Sequence, residues 1–241
     1  MAKQPHLRVE AGDVHETVLL PGDPDRVDRI ADRCTDPTVV AQNREYRLVN
    51  ARYEGHPLTI CSTGIGSPSA AIAAEELARV DATTLLRVGT AGGLQADVTT
   101  GDLVVATGAA KEEGTTRRYE ADVYPAVPDH AALGALTDAA GATDATVHVG
   151  PIATDDAFYA ESEADAADWE AAGLLAVEME AAALFALARR NGLAAGAICT
   201  VDGNLVAGSQ KGASDDGELP EDARAGVGRA IDVALDAVTR L

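Results

Sequence analysis

Lysine is nearly absent from this chain. Only Lys3, Lys111 and Lys211 are present, against sixteen arginines. All the basic residues together fall far short of the 39 Asp and Glu, and the net charge is −20. Such a chain has no broad basic face with which to hold nucleic acid or an anionic membrane. Aromatic residues make up 3% of it, so Ala, Val, Leu and Ile must supply the core. Cysteine is scarce too. Cys34, Cys61 and Cys199 are odd in number and scattered, which fits neither a disulfide framework nor a zinc spacing. No run approaches the ~20 apolar residues of a membrane span. The opening "MAKQPHLRVEAGD" lacks the apolar stretch of a signal peptide. The expectation is a soluble cytoplasmic protein. Few lysines, many aspartates and small apolar side chains also suggest work in high salt; the alternative is an ordinary acidic mesophile protein. Dense carboxylates keep the surface hydrated, and salt screens their repulsion, with a Debye length of roughly 3 Å at 1 M.

The chain has 241 residues and is 46% hydrophobic, enough for one α/β domain spanning residues 1–241. Short apolar segments alternate with helical patterns. "TVLL", "RLVNARYEG", "HPLTICST", "TTLLRVGT", "DLVVATGAA", "ATVHVGPIAT" and "AAGAICTVDG" read as strands. The second and third form a hairpin turning at Gly55. Between them lie helices in "PDRVDRIADRC", "PSAAIAAEELARV", "HAALGALTDAAGA" and "EAAALFALARRNG", with a closing helix after Pro220. The alternation predicts an α/β fold, a central mixed sheet with helices on both faces. Residues 111–122, 155–168 and 207–220 read as mobile loops; for the acidic second stretch, "DDAFYAESEADAADWE", the alternative is a solvated helix face.

Three Gly-rich turns follow strands: "LLPGDPDRV", "CSTGIGSPS" and "LLRVGTAGGLQ". Glycine lets backbone amides approach a ligand, and a helix N-terminus beyond favours an anion. "GIGSPS" lacks the third glycine of a dinucleotide fingerprint. Arginines stand beside these turns. Arg26 opens a helix, Arg87 interrupts a buried strand, and Arg44 precedes the hairpin. A buried Arg must meet an anion or several acceptors. A phosphate satisfies all three; a salt bridge to a core carboxylate is the alternative for Arg87. Two carboxylates, Glu178 and Glu180, sit in the apolar run "LLAVEMEAAALF". In mid-helix they would lie on opposite faces. At a strand-to-helix elbow they share a side, at the sheet edge where α/β folds bind ligands. They would then suit sugar hydroxyls, since a carboxylate only accepts. The alternative is that Glu180 caps the helix and Glu178 is exposed.

In this order, "LPGDPDRVDRIA", "CSTGIGSPSAAIAAEELA", "LLRVGTAGGLQ", "AFY" and "VEMEAAALF" resemble the hexameric nucleoside phosphorylase family. That family contains uridine phosphorylase and bacterial-type purine nucleoside phosphorylase. The resemblance implies a phosphate site of Gly22, Arg26, Arg87 and Thr90, joined by Arg44 from a neighbouring subunit. It implies a ribose site of Glu178, Met179 and Glu180, with His6 from that neighbour, and a base pocket at Gly92 and Phe158. It further implies phosphate as co-substrate, no organic cofactor, and a homo-oligomer, a hexamer built as a trimer of dimers with shared active sites. A monovalent cation, usually potassium, would be held at Glu45, Ile65 and Ser69. Phosphate would attack C1′ through an oxocarbenium-like transition state, with Arg87 and Glu180 as catalytic groups.

The base end departs from both branches. Uridine phosphorylases hold uracil with Gln and Arg just after "FY", and "FYAESEADAADWE" supplies neither. Purine enzymes place Ser-Asp after the "TV" of the last strand, and that Asp protonates the base. In "CTVDGNLV" Asp202 comes one position early. It serves if the strand is displaced by a residue; otherwise it makes an Asp-Gly turn. "CSTGIGSPS" and "GTAGGLQ" resemble the uridine branch, while "PHLRVEAGDVHETVLLPGDP" and "AICTV" resemble the purine branch. The expectation is phosphorolysis of uridine to base and ribose 1-phosphate, with guanosine, inosine or adenosine as the alternative. A nucleosidase using water would not need the arginines. A non-catalytic nucleoside-binding module would not need the glutamates.

Overall fold

In a computed structural model the described residues are 3–208 and 219–241. The elements in chain order are β1 (Thr17–Pro21), α1 (Pro24–Ala31), β2 (Thr35–Asn43), β3 (Tyr46–Tyr53), β4 (His56–Cys61) and α2 (Ser67–Leu77). Then come β5 (Thr84–Gly93), β6 (Leu103–Glu112), α3 (His130–Ala140), β7 (Val147–Asp155) and α4 (Glu163–Ala171). The chain closes with β8 (Ala176–Glu178), α5 (Ala181–Asn191), β9 (Ala194–Asn204) and α6 (Glu221–Val238). This is the α/β fold with a mixed sheet. β1, β4, β5 and β9 run parallel, whereas β3–β4 and β6–β9 are antiparallel.

Local chemistry sets the boundaries. Asp23 and Asp129 cap α1 and α3 by accepting from the backbone two residues on. Gly192 ends α5 in the left-handed region, at φ 74°. Ser162 and Asp165 form a reciprocal capping box that starts α4. For the acidic stretch the alternative, a solvated helix face, is what the structure has in place of a loop over 155–168: residues 163–171 are helical. The expected loop over 111–122 is also partly built. β6 reaches Glu112, a 3-10 turn spans Thr116–Arg118, and buried Glu113 accepts from the amide of Thr116 at 3.0 Å. The expected loop over 207–220 lies largely outside the described residues. β2 was not anticipated: most of its residues are exposed, so it shows little core pattern.

The nine strands of the described residues pair in the order β2-β3-β4-β1-β5-β8-β7-β6-β9, and β9 also pairs with β5. The strands β5, β8, β7, β6 and β9 therefore close on themselves. Along β5 the neighbour on one edge changes. β1 pairs as far as Pro21 opposite Val88, and β8 begins with Val177 opposite Gly92. Gly89, Thr90 and Ala91 lie at the fork between them. Helices α2 and α5 cover one face, with Leu85, Ala91, Cys199 and Val201 beneath them. Helices α1, α3 and α6 cover the other, over Leu86, Val88 and Ile198. Among the described residues no helix is long and apolar enough to cross a membrane.

Candidate active site

A cavity of about 1120 Å³ opens at this fork. Its floor is Gly89, Thr90 and Ala91 of β5. The turn after β1 brings Gly22 and Arg26. β8 and the elbow beyond it bring Glu178, Met179 and Glu180. The stretch after β7 brings Asp156 and Phe158, and β9 brings Asp202.

Arg87 stands at the centre. Its strand alternates between the two sheet faces, so Arg87 falls on the side of Leu85 and Ala91, beneath α2 and α5. Gly89, the next residue on that side, makes room for it. A Cβ at position 89 would stand 2.7 Å from Arg87 Nη2. The guanidinium meets both glutamates, Nε at 2.7 Å from Glu178 Oε2 and Nη2 against Glu180 Oε2. Both proposals for Arg87 are thereby joined: it is bridged to core carboxylates and it also faces the cavity. Burial pulls its pKa down, but Glu180 and Glu178 outweigh that and the net direction is up.

The two glutamates divide the work. Glu178 caps α5. Its carboxylate accepts from the amides of Glu180 at 2.9 Å and Ala181 at 3.0 Å, and from Thr154 Oγ at 2.6 Å. It is buried, not exposed, and its oxygens are already occupied by protein donors. Glu180 sits at the N-cap position, but its side chain makes no capping bond. It accepts from the Gly66 amide at 2.6 Å and otherwise faces Arg87 and the cavity. Glu180 is thus better placed than Glu178 to meet a ligand. Burial raises the Glu180 pKa; Arg87 opposes this and Glu178 adds to it. Two carboxylates share one guanidinium in a site kept from water, where an unpaired charge is costly.

Arg26 is different. It is buried on the first turn of α1, and among the described residues it forms no ion pair. Its Nη1 donates to the Val88 carbonyl at 3.2 Å, and its Nε has no hydrogen-bond partner. Burial, then nearby Arg87, lowers its pKa. A buried cation at a helix N-terminus beside a Gly-rich turn is suited to an anion.

Asp202 reaches the cavity through a β-bulge. Ala91 pairs with Val201 but Gly92 pairs with Gly203, so Asp202 is the extra residue. Strict alternation would send Asp202 with Ile198 toward α3 and α6. The bulge turns it into the cavity, where it is buried. The displaced strand, not the simple turn, is the arrangement found.

Other expected residues fall as follows. Thr90, Met179 and Phe158 line the cavity, and Phe158 packs edge-on against Tyr159 with ring centroids 5.0 Å apart. Gly92 lies one residue beyond the lining part of β5. Glu45, Ile65 and Ser69 gather at the rim, where Ser69 Oγ donates to Glu45 Oε1 at 3.0 Å. Ile65 is 79% exposed there. His6 and Arg44 stand outside this chain's own cavity lining. His6 Nδ1 is 2.6 Å from Glu76 on α2, and Arg44 is exposed on the β2–β3 turn. Sequence reasoning missed Thr154, Gly66, Asp156 and Glu76. Thr154 was visible only as the polar end of an apolar strand, and Gly66 donates through its backbone, which no side-chain pattern reports.

The family model described as "Phosphorylase superfamily" matches residues 16–239. The chain belongs to the phosphorylase superfamily. Within that superfamily it is 67% identical to a guanosine phosphorylase of Halorubrum lacusprofundi, over the full length of both chains. It is 40% identical to a uridine phosphorylase of Thermococcus kodakarensis, over 84% of this chain and 78% of that one. A crystal structure of uridine phosphorylase from Vibrio fischeri superposes with a TM-score of 0.91 at 34% identity, covering 100% of this chain and 98% of that one. These comparisons back the purine alternative better than the uridine expectation. They also associate a phosphorylase of this kind with a relative named from Halorubrum, in keeping with the acidic composition.

Proposed function

We propose that this chain cleaves purine nucleosides, guanosine foremost, with inorganic phosphate. It is a nucleoside phosphorylase, a pentosyltransferase that uses phosphate as co-substrate and no organic cofactor. The observation that carries the phosphate site is Arg26, a buried guanidinium that forms no ion pair among the described residues, at the α1 N-terminus beside Gly22. Phosphate there meets Arg26, Thr90, the Gly22 amide and the free edge of Arg87. Arg87 also touches Glu180, so one guanidinium links the nucleophile to the carboxylate that accepts the ribose hydroxyls. That linkage aligns attack on C1′. Phosphate stabilises the developing oxocarbenium charge. Asp202, turned into the cavity by its bulge, protonates the leaving base. Glu178 holds the elbow and Arg87 in place.

Guanosine is favoured by the 67% identical relative and by Asp202. The segment after Phe158 offers no Gln or Arg for the two carbonyls of uracil. His6 and Arg44, standing outside this cavity, serve a neighbouring copy in a homo-oligomer, which the family resemblance makes a hexamer. The hard oxygens of Glu45, Ser69 and the Ile65 carbonyl suit a monovalent cation such as potassium. Replacing Arg26 by Met tests the phosphate site. The phosphate KM is expected to rise about 10- to 100-fold, the worth of a charge-assisted hydrogen bond. An unchanged phosphate KM removes Arg26 from the site.

A further inference from the structure

The cavity has a marked polarity along the sheet. Its two guanidiniums, Arg26 and Arg87, belong to α1 and β5. Following the strand order from β1 through β5 and β8, the last lining segment is residues 156–160, just beyond β7. β1 and β8 share one edge of β5, and β7 pairs beyond β8. The cavity, about 1120 Å³, has room for a phosphate, a pentose and a base. At the β7 end, Asp156 and the ring of Phe158 line the wall. The cavity lining includes no Lys, His, Asn or Gln among the described residues.

Asp156 ties that wall to the turn after β6. The Gly114 amide donates to its Oδ2 at 2.8 Å, fixing the carboxylate, and among the described residues that is its hydrogen-bond partner. Asp156 is exposed and lines the cavity, and its carboxylate has further lone pairs to offer. A carboxylate only accepts. Uracil presents two carbonyls and a single N–H. Adenine presents an acceptor at N1. Guanine presents two adjacent donors, N1–H and the 2-amino group, which match the two oxygens of one carboxylate.

We infer that Asp156 is the specificity-determining residue that reads the N1–H and 2-amino edge of guanine. This rests on the purine reading above. Asp202 and Asp156 then work on opposite edges of the base, one at the leaving imidazole side and one at the pyrimidine side. Binding the base between them shields Asp156 from water, which strengthens the pair of bonds.

The test is kcat/KM for guanosine, inosine and 1-methylguanosine, each with phosphate, in the wild type and in Asp156→Asn. Inosine lacks the 2-amino group, and 1-methylguanosine lacks the N1 proton. The guanosine-to-inosine ratio is expected to fall on the order of 10-fold in Asp156→Asn, the scale of one charge-assisted hydrogen bond. The wild type is expected to use 1-methylguanosine at least about 10-fold less well than guanosine. A wild type that prefers guanosine and a variant that keeps its ratio overturn the inference alone. A wild type that cleaves uridine but no purine defeats the purine reading with it. Should Asp156→Asn not fold, the wild-type comparison still decides: equal use of 1-methylguanosine overturns the inference.

Discussion

The division of labour between the two glutamates can be tested by Glu178→Gln beside Glu180→Gln. Glu178 is buried and accepts from two backbone amides and the Thr154 hydroxyl while it neutralises Arg87. A glutamine has one oxygen to offer. Its amide nitrogen must face another donor, either the α5 amides or Thr154. Hydrogen bonds to a charged group contribute about 1.5–3 kcal/mol each, and an orphaned buried donor costs a further ~1–3 kcal/mol. Glu178→Gln should therefore lose about 3–5 kcal/mol of stability. At roughly 2–4 °C per kcal/mol for a chain of this size, the melting temperature falls by about 6–20 °C. Glu180→Gln is milder. Its oxygen still accepts from Gly66, and Arg87 keeps Glu178. Burial disfavours the Glu180 charge, so removing that charge offsets part of the loss. Its stability should drop by about 1 kcal/mol or less, while kcat/KM for the nucleoside falls at least about 100-fold. Denaturant unfolding in high KCl and phosphorolysis rates give the two readings. The reasoning fails if Glu178→Gln melts like the wild type, or if Glu180→Gln keeps its activity.

Further expectations concern the same cavity. Gly89→Ala would push the Arg87 guanidinium aside, since its Cβ would stand 2.7 Å from Nη2. A displacement of that kind should lower kcat/KM on the order of 100-fold, and a near wild-type rate would show that Arg87 can shift without cost. Asp202→Asn should reduce guanosine turnover by about 100-fold or more and leave uridine cleavage much less affected; equal losses would remove Asp202 as the acid. The Glu180 pKa is raised above its ordinary 4.5, and the carboxylate form is the one that accepts hydroxyls. As pH falls, activity should therefore decline through a limb above the ordinary carboxylate range; a rate-against-pH profile flat to below 4.5 would contradict this. With a net charge of −20, the melting temperature should rise with KCl as repulsion is screened. A melt that does not respond to salt would remove the high-salt reading.

Much of this was legible in the sequence because it rests on local rules. The hairpin at Gly55, the elbow at "VEME" and the closing helix after Pro220 follow from periodicity and turn chemistry, and the structure has them. Arg87 and Glu180 were found because charge in apolar surroundings is costly and so marks a reason, and Arg26 because it opens a helix just after a Gly-rich turn. What the sequence hid depends on contacts between distant segments. The swap of roles between Glu178 and Glu180 depends on Thr154 and Gly66, which are 24 and 114 residues away from their partners. The bulge that turns Asp202 inward is a mismatch between β9 and β5. Neither strand alone encodes it. β2 escaped notice because an exposed strand carries little alternation, and α4 stayed an alternative to a loop because "ESEADAADWE" is too polar to look like a packed helix.

The central claim is phosphorolysis of a purine nucleoside at the Arg26–Arg87–Glu180 cluster. Its most direct test is guanosine turnover in high KCl, with and without inorganic phosphate, following free guanine and ribose 1-phosphate together. The account expects guanine to appear only with phosphate, in equal amount to ribose 1-phosphate. Guanine released equally without phosphate, as a hydrolase would release it, would contradict the account, and so would phosphate-dependent cleavage of uridine with none of guanosine.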